Sequence, residues 1–305
     1  MKRYALKRLL LGLLTLIGVS MIIFVAVRLS GDPVLLLVSP DASQEEIRRV
    51  RNELGLDQPI PVQYVVFIRN SLRGDFGRST RYRMPALELV LKRLPATVQL
   101  ALLAFAVSVT LGITIGVISA TKPGSWLDFS GKSFAMIGQA MPEFWIGIMA
   151  ILIFSVKLGW LPTSGRGGLQ HLILPSLTLG WFSAASIMRL TRSSMLQVMG
   201  SEYIKTAHLK GNPERVVVWR HALRNALIPI VAMGGMQLGR LLGGAVIVET
   251  IFGWPGLGQL ILEGINTRDF SVVQTGVFIT STVFIMLNLV VDLTYGVIDP
   301  RIRYE

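Results

Sequence analysis

Apolar residues in this chain are gathered into long blocks, with neither the strict alternation of strands nor the narrow stripe of a soluble helix. A bilayer core takes about 20 apolar residues in a helix. Six blocks approach or exceed that length: Leu9–Val27, Pro95–Ala120, Ser133–Leu158, His171–Leu190, Asn225–Val248 and Phe270–Ile298. The second and sixth are the cleanest, since neither Leu94 to Thr121 nor Phe270 to Val291 holds a charge. The fourth is the weakest, uncharged only over Leu172–Met188 and carrying Pro175. The pattern predicts an all-α membrane protein with six transmembrane helices. The first block follows Lys2, Arg3, Lys7 and Arg8, as a signal peptide would, but it is long and ends in Arg28-Leu29-Ser30 without an Ala-x-Ala-like site. It reads as a retained helix.

Two polar stretches between blocks carry helix signals. In residues 29–94, Ser43-Gln44-Glu45-Glu46 fits a capping box and Gly55 a stop, which predicts a helix over Gln44–Leu54. Pro59 and Pro61 break the chain, and a second helix is expected over Val62–Leu72, ended near Gly74. The mixed arginines and carboxylates of this insertion fit mutual salt bridging or a docking surface for a soluble partner. In residues 200–224, Gly200 or Ser201 can start a helix with Glu202 in its first turn, and Gly211-Asn212-Pro213 stops it. A further helix is expected over Glu214–Leu223, running into the fifth span. Short amphipathic helices of this kind serve as interfacial anchors or as coupling devices.

Composition agrees with the blocks: 51% hydrophobic, 16% charged, mean hydropathy +0.57. The 30 glycines suit close helix approach in a membrane. A net charge of +12 raises nucleic-acid binding, but the basic residues flank apolar spans as topogenic charge does, and no nucleic-acid partner is expected. Short-loop charges (Lys122, Lys132, then Arg192 to Arg224, then Arg301 and Arg303) place both termini in the cytoplasm, against Arg166 and Arg268 opposite. Residues 29–94 are then extracytoplasmic and 200–224 cytoplasmic. The expected division is 1–28 (N-terminus and first helix), 29–94 (helical insertion) and 95–305 (five-helix core with the 200–224 segment). There is no cysteine, hence no disulfide or thiolate chemistry. His171, His208 and His221 are too scattered to suggest a metal site.

Two ionisable residues fall well inside spans. Glu143 follows Pro142 in the third, about 15 Å from its cytoplasmic end, and Arg240 lies in the fifth, about 24 Å up, at 1.5 Å per residue. Charges at such depth face a cavity or a partner. Pairing with each other or a neighbouring subunit, and contact with a passing substrate, both remain open. Gln237 joins them as a lesser pathway candidate, with Asn288 and Asp292 behind it.

The order of short motifs resembles one family. Tyr203-Ile204-Lys205-Thr206-Ala207, Lys210-Gly211 and Arg220-His221-Ala222-Leu223-Arg224-Asn225-Ala226-Leu227-Ile228-Pro229 are similar to the inner-membrane permeases of bacterial ATP-binding-cassette importers, in the dipeptide, oligopeptide, glutathione and nickel branch. Gly31-Asp32-Pro33, Leu54 to Pro59, Gln63-Tyr64, Gly74 to Gly77, Leu158 to Pro162, Leu174 to Leu177, Glu249 to Gly258 and Asp299 to Tyr304 extend the likeness over nearly the whole chain. Ser30 departs from the branch's usual proline. The general importer signature is met only at Ala207, Gly211 and Leu223.

The resemblance implies a permease subunit of the bacterial cytoplasmic (inner) membrane, with no catalytic residue. Glu202, Tyr203, Thr206, Ala207, Lys210, Gly211 and Pro213 would couple it to an ATPase. It further implies a heterodimer with a second homologous permease, two ATPase subunits, an extracytoplasmic solute-binding protein, a lipid surround and a peptide-like substrate. No Walker A loop occurs in the chain, so ATP and magnesium belong to partners and no cofactor is expected here. The alternative is a stand-alone secondary transporter or channel, which more helices, inverted repeats or several buried carboxylates would mark. An intramembrane enzyme lacks support: neither His-Glu-x-x-His nor Gly-x-Ser-x-Gly is present.

Overall fold

The computed structural model describes residues 2–29, 34, 38, 42–53 and 55–298, with side chains described from Leu6 to Val291 apart from a few of these positions. The Gly31-Asp32-Pro33 motif, the Asp299–Tyr304 tail and the Asp292 side chain lie outside the described residues. What is described is helical, with one isolated bridge between Arg78 and Pro85. Helix α1 is Lys2–Leu29. Helix α2, Gln44–Glu53, starts on the expected cap, where the Glu46 N–H donates to Ser43 Oγ at 3.2 Å. It stops at Gly55, whose φ of +64° lets Gly55 and Leu56 donate back to the Asn52 and Arg51 carbonyls. Helix α3 is Ile60–Ser71, with Pro59 at its N-cap.

Helix α4, Ala86–Thr121, begins earlier than the apolar pattern predicts and runs through Pro95. The expected third span departs most from a straight rod. Helix α5, Trp126–Ala140, and helix α6, Glu143–Ala150, meet at an angle of 111°, with α6 continuing as a π-helical segment, Ile151–Lys157. Pro142 is the cause. A residue before proline is driven out of the α region, and Met141 sits at φ −91°, ψ 135°. The rise of about 15 Å assigned to Glu143 along one axis therefore fails, and Glu143 opens a new helix.

Helix α7 is Gln170–Met199 and α8 is Glu202–Leu209. The expected helix over Glu214–Leu223 is a turn, Glu214–Val216, and a π-helical segment, Val217–Ala222, leading into α9, Leu223–Ile251. Helix α10, Leu257–Asn266, stands where only a loop is expected, and α11 is Phe270–Ile298. Among the described residues, four helices are long and apolar enough to cross a membrane, or six if each of two bent pairs counts as one span.

The chain divides into two compact units, one of Thr97–Trp254 with Leu287 onward, the other of Lys2–Ala96 with Pro255–Met286. In the first, the C-terminal part of α4 lies backbone to backbone on α7. A side chain on Gly112 would meet Ile187 at 2.7 Å, one on Gly180 would meet the Ala104 carbonyl at 2.7 Å, and Ser108 Oγ donates to the Gly180 carbonyl at 2.8 Å. Small residues at this seam let dispersion and carbonyl contacts replace the hydrophobic drive that lipid removes. In the second, Phe24, Tyr64 and Phe67 form an aromatic cluster between α1 and α3, and Ser20 and Tyr64 share a hydrogen bond of 2.8 Å. Helix α10 buries Leu257 and Leu260 against Ala86, Leu89 and Val90.

Candidate coupling site and intramembrane ion pairs

Helix α8 is short and held at both ends. Ser201 is extended at the N-cap, and its carbonyl receives the Ile204 and Lys205 N–H groups. Glu202 lies in the first turn, where the helix dipole favours a carboxylate, and its side chain meets Lys205 Nζ at 2.7 Å. At the other end Gly211 takes φ +78°, its N–H donates to the His208 carbonyl, and Asn212 Nδ2 donates to the Ala207 carbonyl at 2.9 Å. Pro213 caps the following turn.

The helix sits on an apolar seat. Ile204, 1% exposed, and Ala207 pack into a cluster with Val117, Ala120, Met195, Val217, Val218, Ala222 and Ala226. Full burial of an isoleucine side chain stabilises by roughly 1.5–3 kcal/mol. Ala207, expected among the coupling residues, thus points inward and seats the helix. Glu202, Tyr203, Thr206 and Lys210 are exposed. Tyr203, Thr206 and Lys210 follow one helical stripe. The Tyr203 hydroxyl accepts from Asn225 Nδ2 at 2.9 Å, and Thr206 Oγ1 donates back to the Glu202 carbonyl. Leu209, which the sequence reading passed over, is 88% exposed on this face. Its signal was an apolar residue out of phase with Ile204 and Ala207.

Of the residues inside spans, the fold brings Glu143 and Arg240 together. Arg240 Nη2 donates to Glu143 Oε1 at 3.1 Å, and the guanidinium lies 3.6 Å from the centroid of the Phe182 ring. Gln237, nearly buried, accepts from Ser183 Oγ at 3.3 Å. The same unit holds a cavity of about 1020 Å³ between α5 and α7, walled in part by Lys132, Gln139, Ser186, Arg189 and Arg192; Arg189 donates to Gln139.

Three polar clusters escaped sequence reasoning. Asp128, 0% exposed, accepts from Ser119 Oγ at 2.5 Å, Arg192 Nε at 2.7 Å and Nη2 at 3.0 Å, Lys132 Nζ at 2.8 Å and the Gly124 N–H at 3.0 Å. Glu249, equally buried, accepts from Thr97 Oγ1 at 2.5 Å. Near α10, Asp269 accepts from Ser79 Oγ at 2.5 Å, while Glu263 pairs with Arg81 at 2.8 Å and accepts from the Tyr82 hydroxyl at 2.9 Å. Partial burial, then the Glu263 carboxylate beside it, pushes the Tyr82 hydroxyl above its ordinary value. Arg81 of the insertion therefore bridges to a carboxylate outside it. Among the described residues no cluster of three His, Asp or Glu side chains is placed to hold a metal.

With this geometry in hand, known proteins resemble the chain as follows. Residues 112–304 match the family model of the binding-protein-dependent transport system inner membrane component, and residues 1–101 match its N-terminal counterpart. The dipeptide transport system permease protein of Alkalihalophilus pseudofirmus is 40% identical, and the glutathione transport system permease protein of Escherichia coli K12 is 43% identical, each over 100% of both chains. Among solved structures, an inward-facing methionine ABC transporter superposes with a TM-score of 0.57 at 17% identity, over 69% of this chain and 96% of that one. An amino acid ABC transporter with histidines gives 0.52 at 16% identity, over 70% and 94%. At such identities the two structures speak for the fold alone.

Proposed function

The chain belongs to the binding-protein-dependent transport-system inner-membrane components, and from that premise we propose that it supplies half of a peptide-conducting pore driven through α8. It is a permease subunit of an ABC importer in the inner membrane, and ATP is hydrolysed by separate subunits. The bent pairs α5–α6 and Glu214–Ile251 each count as one crossing, giving six spans with both termini in the cytoplasm. The division 1–28, 29–94 and 95–305 then separates first span, extracytoplasmic insertion and core. Six spans enclose little on their own, so a second homologous permease completes the pore. Two ATPase subunits, a solute-binding protein outside and the surrounding lipid complete the assembly. Short peptides and peptide-like solutes such as glutathione are the cargo, by likeness to the dipeptide and glutathione permeases. Arg240, Glu143 and Gln237 line the route.

The observation that carries this reading is the construction of α8. Its inner face is locked by Ile204 and Ala207, while Tyr203, Thr206, Leu209 and Lys210 face outward. A rigid helix with one buried and one open face passes a push from a docked motor to the α4, α7 and α9 ends beneath it. Glu202, Lys210, Gly211 and Pro213 fix where it begins and ends. A stand-alone transporter has no use for such a seat.

Ala207→Glu forces a charge into the seat, and Gly211→Val demands φ +78° of a β-branched residue. In the reconstituted complex each should cut solute uptake by about tenfold or more, with the ATPase subunits lost or uncoupled. Normal uptake with normal ATPase co-purification in both variants would refute the coupling role.

A further inference from the structure

We propose that the Glu143–Arg240 pair is an exchange site for a zwitterion: the carboxylate of a peptide takes the open edge of the Arg240 guanidinium while its ammonium takes Glu143, and the internal pair parts as the ligand enters. This rests on the reading of the chain as a permease for peptide-like solutes with both residues on the route.

The pair is joined but not satisfied. A guanidinium carries five N–H donors and a carboxylate about four acceptor sites. The described bond between them is one, Arg240 Nη2 to Glu143 Oε1 at 3.1 Å, and the two side chains remain 40% and 22% exposed. Glu143 Oε2 has the glycine Gly244 as a neighbour, where an added Cβ would lie 3.7 Å from that oxygen. Accessible ionic groups within a membrane span face a water-filled cavity or a substrate path.

Each partner is also held independently of the other. Phe182 lies under the guanidinium at 3.6 Å, a cation–π platform that fixes its plane when Glu143 lets go. Glu143 begins α6 directly after Pro142, where the helix dipole favours its charge without Arg240. The two residues sit on separate helices, so a ligand can enter between them.

Charge accounting then selects the ligand. A zwitterion replaces one internal ion pair with two pairs to itself, so in the bound state neither residue lacks a counter-charge. A ligand with a single charge satisfies one residue and strands the other, which is costly away from water. Short peptides with free termini meet the requirement; forms blocked at one end do not.

The test uses the complete complex in proteoliposomes, with ATPase subunits, partner permease and saturating binding protein. Its probes are labelled dialanine, N-acetyl-dialanine and dialanine amide. The double variant Glu143→Gln with Arg240→Gln removes both charges together and strands neither. It should assemble with its partners and take up dialanine about tenfold more slowly. Wild type should favour dialanine over either blocked form, and the variant should lose that preference. Dialanine uptake by the double variant at the wild-type rate overturns the exchange site and leaves the peptide reading intact. A wild-type complex that moves no dipeptide overturns the peptide reading as well. If the double variant fails to assemble, the wild-type comparison decides: blocked forms carried as fast as dialanine overturn the proposal, and preference for free termini supports it.

Discussion

Two carboxylates, Asp128 and Glu143, stand one helix apart, and each meets an arginine from another helix. Asp128 uses both oxygens, against Arg192, Lys132, Ser119 and the Gly124 N–H. Glu143 makes one described contact, with Arg240. A fully satisfied polar network fixes geometry and has no room for a visitor. A half-satisfied pair is poor mortar, and its open valences are what a ligand can use. The first therefore reads as the rivet that holds α5 to α7, close to the end of α7 that carries α8. The second is the pair proposed above as the exchange site.

Breaking the rivet should have the larger effect on stability. Asp128→Ala leaves Arg192 and Lys132 side by side without their anion. The Lys132 side chain is 54% exposed, so water softens the repulsion, and a loss of about 2–3 kcal/mol is expected. Thermal unfolding of the detergent-solubilised complex reads it as a drop of several degrees. The neutral Glu143→Gln, Arg240→Gln variant, unfolded in the same way, should lose less than about 1 kcal/mol. Equal losses would erase the distinction between the two sites.

A third carboxylate, Glu263, sharpens the comparison at its weak end. It is shared by Arg81 and Tyr82 nearer the surface, where screening leaves little. Tyr82→Phe should cost about 1 kcal/mol or less at neutral pH. Because the folded hydroxyl titrates above its ordinary value, near 10, the bond's contribution is present below that pH and lost as pH rises through the folded value. Unfolding curves of wild type and Tyr82→Phe should converge only in the alkaline range. A difference between them that vanished at neutral pH would mean the bond contributes nothing.

The sequence announced those elements whose causes are local. Ser43 and Gly55 bound α2, and Ser201 with Gly211-Asn212-Pro213 bounds α8, because caps and stops act over a few residues. The break at Pro142 was equally local, yet a hydropathy block conceals it: Ser133–Leu158 stays apolar across a 111° bend. Helix α10 carried its signal in Leu257, Leu260, Ile261 and Gly264, spaced for one helix face after Gly256, and a length test for spans passes over it. The Asp128 cluster could not be read at all. Its members, Ser119, Gly124, Asp128, Lys132 and Arg192, are joined by packing, and counting charges for orientation had already absorbed Lys132 and Arg192 as loop residues. The meeting of Glu143 with Arg240 was one of two open readings, and only the placement of α6 against α9 brings them to 3.1 Å.

The central claim is that the outer face of α8 receives the motor, and the chain's freedom from cysteine gives a clean background for testing it. Thr206→Cys and Leu209→Cys, each in the full complex with a short thiol-to-amine cross-linker, should yield adducts with an ATPase subunit whose amount changes when ATP is added. A control just after the π-helical segment that follows α6, Gly159→Cys, should yield none. Adducts that form equally from all three positions, or from none on α8, would contradict the account.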